Sequence, residues 1–223
     1  MGIHLPPAAI TAFGKYFDLL GQRGQNVNLT AITGAQDVAQ LHFLDSLALL
    51  GAYDFRDAHV IDVGSGAGFP GVPLKIAEPS IMLTLMDATR KRVEFLSELC
   101  MELPIDAACL QARAEEAARS RETRERYDIV VSRAVARLNL LCELCLPLVR
   151  PGGVFIAMKG PEPADELAEA RSAIITLGAE PWKCIDYMIP GTEIARTAVL
   201  ISKTTTTPDK YPRRYAKMQK APL

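Results

Sequence analysis

A chain of 223 residues with 49% hydrophobic and 23% charged residues suits one core-bearing domain, or one domain with a small extension. The formal net charge of −1 says little, but its distribution says more. Pro208 to Leu223 holds five basic residues (Lys210, Arg213, Arg214, Lys217, Lys220) against Asp209 alone, a net of +4. Such a tail fits either a polyanionic partner or plain solvation. Met1 to Ile10 lacks a charged segment followed by an apolar run, so no secretory signal is expected there. No stretch approaches the ~18 apolar residues of a membrane span, and five cysteines, an odd number, without such a signal point to reduced thiols in a cytoplasm.

In chain order, Pro6-Pro7 opens a helical pattern in which Ile10, Phe13, Phe17 and Leu20 recur until Gly21 and Gly24 interrupt it. Asn26-Val27-Asn28-Leu29-Thr30 reads as a turn, and a second helix is predicted over 35–50. The texture then changes. Short apolar strands are predicted at 60–63, 81–86, 107–110, 128–132 and 154–158, with helices near 71–77, 89–102, 113–119, 137–149 and 163–177. Two further strands fall near 182–188 and 197–202. Strands alternating with helices imply βαβ units and a mostly parallel sheet covered on both faces. The expected organisation is an N-terminal helical extension (1–50), an α/β domain with a Rossmann-like, mostly parallel seven-stranded sheet (51–203) and a basic tail (204–223). Cys142-x-x-Cys145 has no second such pair and no neighbouring His or Asp, so buried thiols on a helix face are expected rather than a metal site.

The chemistry concentrates at Gly64-Ser65-Gly66-Ala67-Gly68-Phe69-Pro70-Gly71, directly after the first strand. Glycines let a ligand approach the backbone, and the following helix presents its N-terminus to it. Gly66-x-Gly68-x-x-Gly71 also matches the dinucleotide fingerprint, but there the first glycine follows the strand directly, which favours the register Gly64-x-Gly66-x-Gly68. Asp87, at the end of the second strand, is placed to accept from the two hydroxyls of an adenosine ribose. S-adenosylmethionine (SAM) and NAD both carry that ribose. None of the six tyrosines has lysine four residues on, so the Tyr-x-x-x-Lys of a short-chain dehydrogenase is absent and SAM is the preferred cofactor. An NAD-dependent oxidoreductase is the runner-up. Two closing strands after the alternating units are also what a SAM-methyltransferase fold would show.

Several segments carry a family resemblance: Asn26 to Thr30; His42-Phe43-Leu44-Asp45-Ser46; Val60 to Gly71; Lys91 to Leu96; Ser132-Arg133-Ala134-Val135-Ala136; and Lys159-Gly160. Over roughly residues 10–220 the chain resembles the bacterial small-subunit ribosomal RNA guanine-N7 methyltransferases, also called glucose-inhibited division protein B. The basic ending is similar too. The resemblance implies a class I fold, methyl transfer from SAM to guanine N7 in small-subunit (16S) ribosomal RNA, and cofactor contacts at Gly64, Phe69, Ala114, Glu115 and Arg133. With the residues argued from the loop, the expected cofactor site is Gly64, Gly66, Gly68, Phe69, Asp87, Ala114, Glu115 and Arg133. Arg133 is also the expected positioning residue of the reaction.

Chemistry agrees in part. The chain lacks the Pro-Cys of pyrimidine-C5 enzymes, and its fourth strand ends in Ser132-Arg133-Ala134-Val135 rather than Asp/Asn-Pro-Pro-Tyr. Guanine N7 needs no general base, because its lone pair lies in the ring plane. Lys159, Arg196, Arg213, Arg214 and Lys217 are the expected RNA contacts, and no metal site is expected. His42 and Asp45, at i, i+3, read as packing and capping residues with a catalytic role as the other possibility. Arg90, Lys91 and Arg92 read as a solvated helix start. The expected partner is small-subunit ribosomal RNA or the ribosomal subunit, bound by a monomer without membrane attachment. A non-enzymatic RNA-binding ribosome assembly factor is the remaining alternative.

Overall fold

The computed structural model describes residues 5–27, 29–30, 32–133 and 135–223. Met1 to His4, Asn28 of the expected turn and Ala134 of the Ser132–Ala136 segment lie outside the described residues. Seven strands form one sheet in the order β3-β2-β1-β4-β5-β7-β6. They are β1 (His59–Val63), β2 (Met82–Asp87), β3 (Ala107–Gln111), β4 (Tyr127–Arg133), β5 (Val149–Lys159), β6 (Ala179–Met188) and β7 (Ala195–Lys203). β1 to β5 pair in parallel, and β7 runs antiparallel to both β5 and β6. The sheet is therefore mostly parallel, as the strand–helix alternation predicts.

Successive side chains on a strand point to opposite faces, and here both faces are apolar. Ile129, Val131, Val154, Ile156 and Met158 enter one core, while Val130, Phe155 and Ala157 enter the other. The first core is covered by α1 (Pro7–Val27), α4 (Gly71–Ala77) and α5 (Arg90–Glu102), the second by α7 (Leu138–Cys145) and α8 (Ala164–Thr176). α6 (Ala114–Ala117) is a single turn following β3. Cys142 and Cys145 are fully buried thiols on α7.

The N-terminal helices differ from the expected pattern in two places. α1 continues through Gly21 and Gly24 to Val27, because its packing against α4 and α5 outweighs the ~1 kcal/mol that each helical glycine costs. The second helix is compound. α2 (Ala35–Val38) passes into a π-helical turn at Ala39–Leu44, then α3 (Asp45–Leu47), and ends in a 3₁₀ turn at Ala48–Gly51. The wider turn contains His42 and Phe43, both buried. Such bulges occur frequently at functional sites.

The basic tail is docked rather than free. Tyr211 and the whole side chain of Met218, on α9 (Tyr215–Lys220), join the second core. The Arg213 guanidinium grips the Glu143 carboxylate of α7, with Nη2 to Oε2 at 2.6 Å, and the Arg213 backbone N–H donates to Oε1 at 2.7 Å. Glu143 is only 1% exposed, so loss of either partner would leave a buried polar group unpaired. Glu143→Ala strips the pair from the docked tail and is expected to lower unfolding free energy by about 3 kcal/mol, read from urea denaturation midpoints at constant slope.

Candidate functional site

The glycine-rich loop leaves β1 at its C-terminal end, where a parallel sheet presents its ligand-binding edge. It is fastened from below. The N–H groups of Gly64 and Ser65 donate to the Met86 carbonyl at 2.8 and 3.0 Å, and Ser65 Oγ accepts from the Met86 N–H at 3.1 Å. Gly64, Gly66 and Gly68 have φ of 75°, 57° and 103°, a region that L side chains rarely adopt. A side chain at Gly68 would strike the Tyr16 hydroxyl and Val72, and one at Gly71 would strike Leu85 and Asp62. A side chain at Gly66 would stand in open space above the loop.

Beside the loop lies a cavity of about 350 Å³, whose walls include Gly64, Asp87, Arg92, Ala114, Glu115 and Arg133. Five of the eight expected cofactor residues are thus brought together: Gly64, Asp87, Ala114, Glu115 and Arg133. The other three do not line the cavity. Gly66 shapes the loop and donates its N–H to Asp87 Oδ2 at 3.1 Å. Gly68 gives room to Tyr16 and Val72. Phe69 is buried, its ring stacked on His42 with centroids 4.5 Å apart and lying under the Arg133 guanidinium at 5.0 Å.

Asp87 is 5% exposed. It accepts from the Thr89 N–H at 2.8 Å and meets Arg92 Nη1 at 3.4 Å, so Arg92 belongs to the cavity wall rather than to a solvated helix face. Arg90 does pair on the surface, with Glu94 at i+4, and Lys91 is exposed.

Arg133, at the end of β4, holds the site together. Its Nη1 donates to the Leu41 carbonyl at 3.1 Å and to Asp45 Oδ2 at 3.2 Å, and its Nη2 lies 3.2 Å from His42 Nδ1. The same Nδ1 lies 3.1 Å from the Leu41 carbonyl, and Nε2 lies 2.8 Å from Thr30 Oγ1, so both ring nitrogens are engaged. Burial, then the Arg133 charge, lowers the His42 pKa to about 4, so its imidazole is neutral at physiological pH. Asp45 Oδ1 accepts from the Tyr187 hydroxyl at 2.9 Å. His42 and Asp45 therefore position Arg133, a role their i, i+3 spacing did not specify.

On the other side of Arg133 lies a second cavity of about 420 Å³, whose walls include Leu41, His42, Asp45, Met158, Lys159 and Arg196. Arg133 borders both cavities. Of the expected RNA contacts, Lys159 and Arg196 reach this second cavity, although the Lys159 ammonium is held by Glu166 at 2.7 Å and the Ala136 carbonyl at 2.8 Å. Arg214 and Lys217 are exposed on the tail. Arg213 corrects the expectation, because its guanidinium is used internally by Glu143.

Two residues absent from the sequence reading matter. Tyr16, fully buried on α1, donates to the Ala67 carbonyl of the loop at 2.5 Å. In sequence it falls outside the Ile10, Phe13, Phe17 and Leu20 pattern and has no signal of its own. Asp62, the penultimate residue of β1, is fully buried; Oδ2 accepts from the Gly71 N–H at 2.9 Å, while Oδ1 has no partner among the described residues. Its signal was an acid inside an otherwise apolar strand. Burial pushes the Asp62 pKa up to about 7. Among the described residues no cluster of His, Cys, Asp and Glu could hold a metal ion, and no helix is long and apolar enough to cross a membrane.

A mostly parallel seven-stranded sheet with one antiparallel strand, a glycine loop after β1 and an acid after β2 define the class I SAM-dependent methyltransferase fold. Solved structures agree on that fold. A putative O-methyltransferase from Klebsiella pneumoniae aligns with a TM-score of 0.54 at 18% identity, over 85% of this chain and 90% of that one. The T. thermophilus 16S rRNA N2 methyltransferase RsmC, solved with AdoMet and guanosine, aligns with a TM-score of 0.56 at 19% identity, over 78% of this chain and 45% of that one.

The chain belongs to the rRNA small subunit methyltransferase G (GidB) family, whose model matches residues 9–189. Proteins named ribosomal RNA small subunit methyltransferase G from Alkaliphilus oremlandii and Pelotomaculum thermopropionicum are 46% and 44% identical, over 100% of this chain and 94% of each of theirs. The family leaves no place for the oxidoreductase alternative.

The raised Asp62 pKa yields a prediction. The folded protein holds this proton more tightly than the unfolded chain, so the stability it contributes is present below the unfolded pKa of 3.8 and lost as pH rises through about 7. Asp62→Asn should therefore gain on the wild type by roughly 2–4 kcal/mol between pH 4 and pH 8. Urea unfolding of both proteins across that range checks it; a difference independent of pH contradicts it.

Proposed function

We propose that this protein transfers a methyl group from SAM to N7 of a guanine in small-subunit ribosomal RNA, with the cofactor in the first cavity and the target base in the second. The observation that carries the reading is the position of Arg133, a wall of both cavities at the end of β4. The first cavity fits the cofactor: Gly64 offers bare backbone, Asp87 stands at the ribose position, and Ala114 and Glu115 stand beyond it. Bound SAM supplies an electrophilic methyl group.

The chain's own task is orientation. Arg133 is fixed from three directions by Leu41, Asp45 and His42, and such pre-positioning cuts the entropy lost in reaching the reactive arrangement. Its Nε–H has no hydrogen bond among the described residues and is a donor for the O6 acceptor beside N7, which adenine lacks. Guanine N7 loses no proton on methylation, so a site with neutral His42 and hydrogen-bonded Asp45 is chemically sufficient. Arg196 at the mouth of the second cavity and Arg214 and Lys217 on the tail supply phosphate contacts that weaken with salt.

The test is transfer of label from SAM to small-subunit RNA or subunits lacking the modification, mapped by cleavage at 7-methylguanosine. The wild type should label one guanine. Gly66→Val should lose cofactor binding, since a branched side chain resists a φ of 57° and would move the loop N–H that holds Asp87. Arg133→Ala should slow transfer about 100-fold, the scale of an ångström of misplacement. No labelling of any substrate by a protein that binds SAM would leave the assembly-factor reading.

A further inference from the structure

The first cavity has a wall that the strand–loop–helix unit does not provide: Tyr215, from the basic tail. Across the sheet edge its walls run from Arg133 after β4, through Gly64 after β1 and Asp87 after β2, to the segment Ala112–Glu115 after β3. If Asp87 meets the ribose, the nucleobase lies toward that last segment, and Tyr215 stands there. The Arg113 guanidinium lies over the Tyr215 ring, 5.2 Å from its centroid, and Arg113 is itself held by Glu115 at 2.7 Å.

The tail is built to keep this ring in place. Met218, one turn further along α9, is fully buried in the second core. Arg213 is clamped by Glu143. Arg124 donates to the Tyr211 and Thr207 carbonyls at 2.9 and 2.7 Å, and the Thr207 N–H donates to Glu125 at 2.6 Å. Tyr215 and Met218 share the inward side of α9 at i, i+3, while Arg214 and Lys217 are exposed. A half-buried aromatic ring, held by a guanidinium that shares the cavity wall and fixed at the edge of a nucleoside-sized cavity, is a stacking surface for a purine base.

We infer that Tyr215 is a cofactor-binding residue, its ring closing the adenine end of the cavity, so that the docked C-terminal tail is part of the SAM site. The inference rests on the cofactor placement given above and extends it to a segment the glycine loop says nothing about.

S-adenosylhomocysteine is the probe, titrated calorimetrically into the full chain. Tyr215→Ala should weaken binding about tenfold or more, the scale of losing one base–aromatic stack. Tyr215→Phe, which keeps the ring, should bind as the wild type does. Tyr215→Trp should bind too, and should gain a fluorescence change on binding beyond that of wild-type Trp182. The Phe and Trp variants carry the test if the alanine variant fails to fold. Wild-type affinity in folded Tyr215→Ala, or no added fluorescence change in Tyr215→Trp, overturns this inference and leaves the cofactor site standing. A wild-type protein that does not bind the probe overturns both.

Discussion

The site depends on one guanidinium. Arg133 leaves the end of the central strand β4 and is captured by the N-terminal segment, through Leu41 and His42 of its π-helical turn and Asp45 of α3. Without that capture, the N-terminal helices would only cover a sheet face. With it, they become part of the cavity walls. The arrangement is mutually satisfying. Asp45 is 3% exposed, and such a burial is tolerable for a carboxylate only with partners, which Arg133 and Tyr187 provide. His42 stays neutral because its pKa is lowered to about 4 by burial and by the arginine it positions. The stack of Arg133, Phe69 and His42 then fixes the far end of the glycine loop against the same group.

The loop is held from beneath by two buried side chains that do not line the cavity. Tyr16 reaches from α1 to the Ala67 carbonyl, and Asp62 reaches from β1 to the Gly71 N–H. A loop with three positive-φ glycines has few conformational preferences of its own, so its shape is imposed by these buried anchors. Asp62 carries an energetic penalty for this, visible in its raised pKa and its unpartnered oxygen. Burying an incompletely satisfied acid beneath this loop trades stability for a defined loop shape.

Much of the fold was legible because its signals are local. Apolar runs marked β1, β2 and β4, the first ending at glycine, the second at aspartate and the third at Ser132-Arg133, and each lies within a residue or so of its expected place. Five of eight expected cofactor residues line one cavity, since strand ends in a parallel sheet converge on one edge. Long-range pairing was not legible. Nothing in the spacing of Arg213 says that Glu143, seventy residues away, is buried and waiting for it. The same holds for Lys159 with Glu166, a short-range pair that only the turn between β5 and α8 brings together. The glycines at 21 and 24 misled because tertiary packing overrode their helix propensity.

The central claim is that two cavities meet at Arg133, one for the cofactor and one for a guanine. The most direct measurement is a crystal structure of the protein with S-adenosylhomocysteine and guanosine monophosphate. The account predicts the adenosyl group among Gly64, Asp87 and Ala114, the base among His42, Arg196 and Arg133, and the thioether sulfur facing N7 past the Arg133 guanidinium. A base bound elsewhere, or a sulfur walled off from the second cavity, would contradict it.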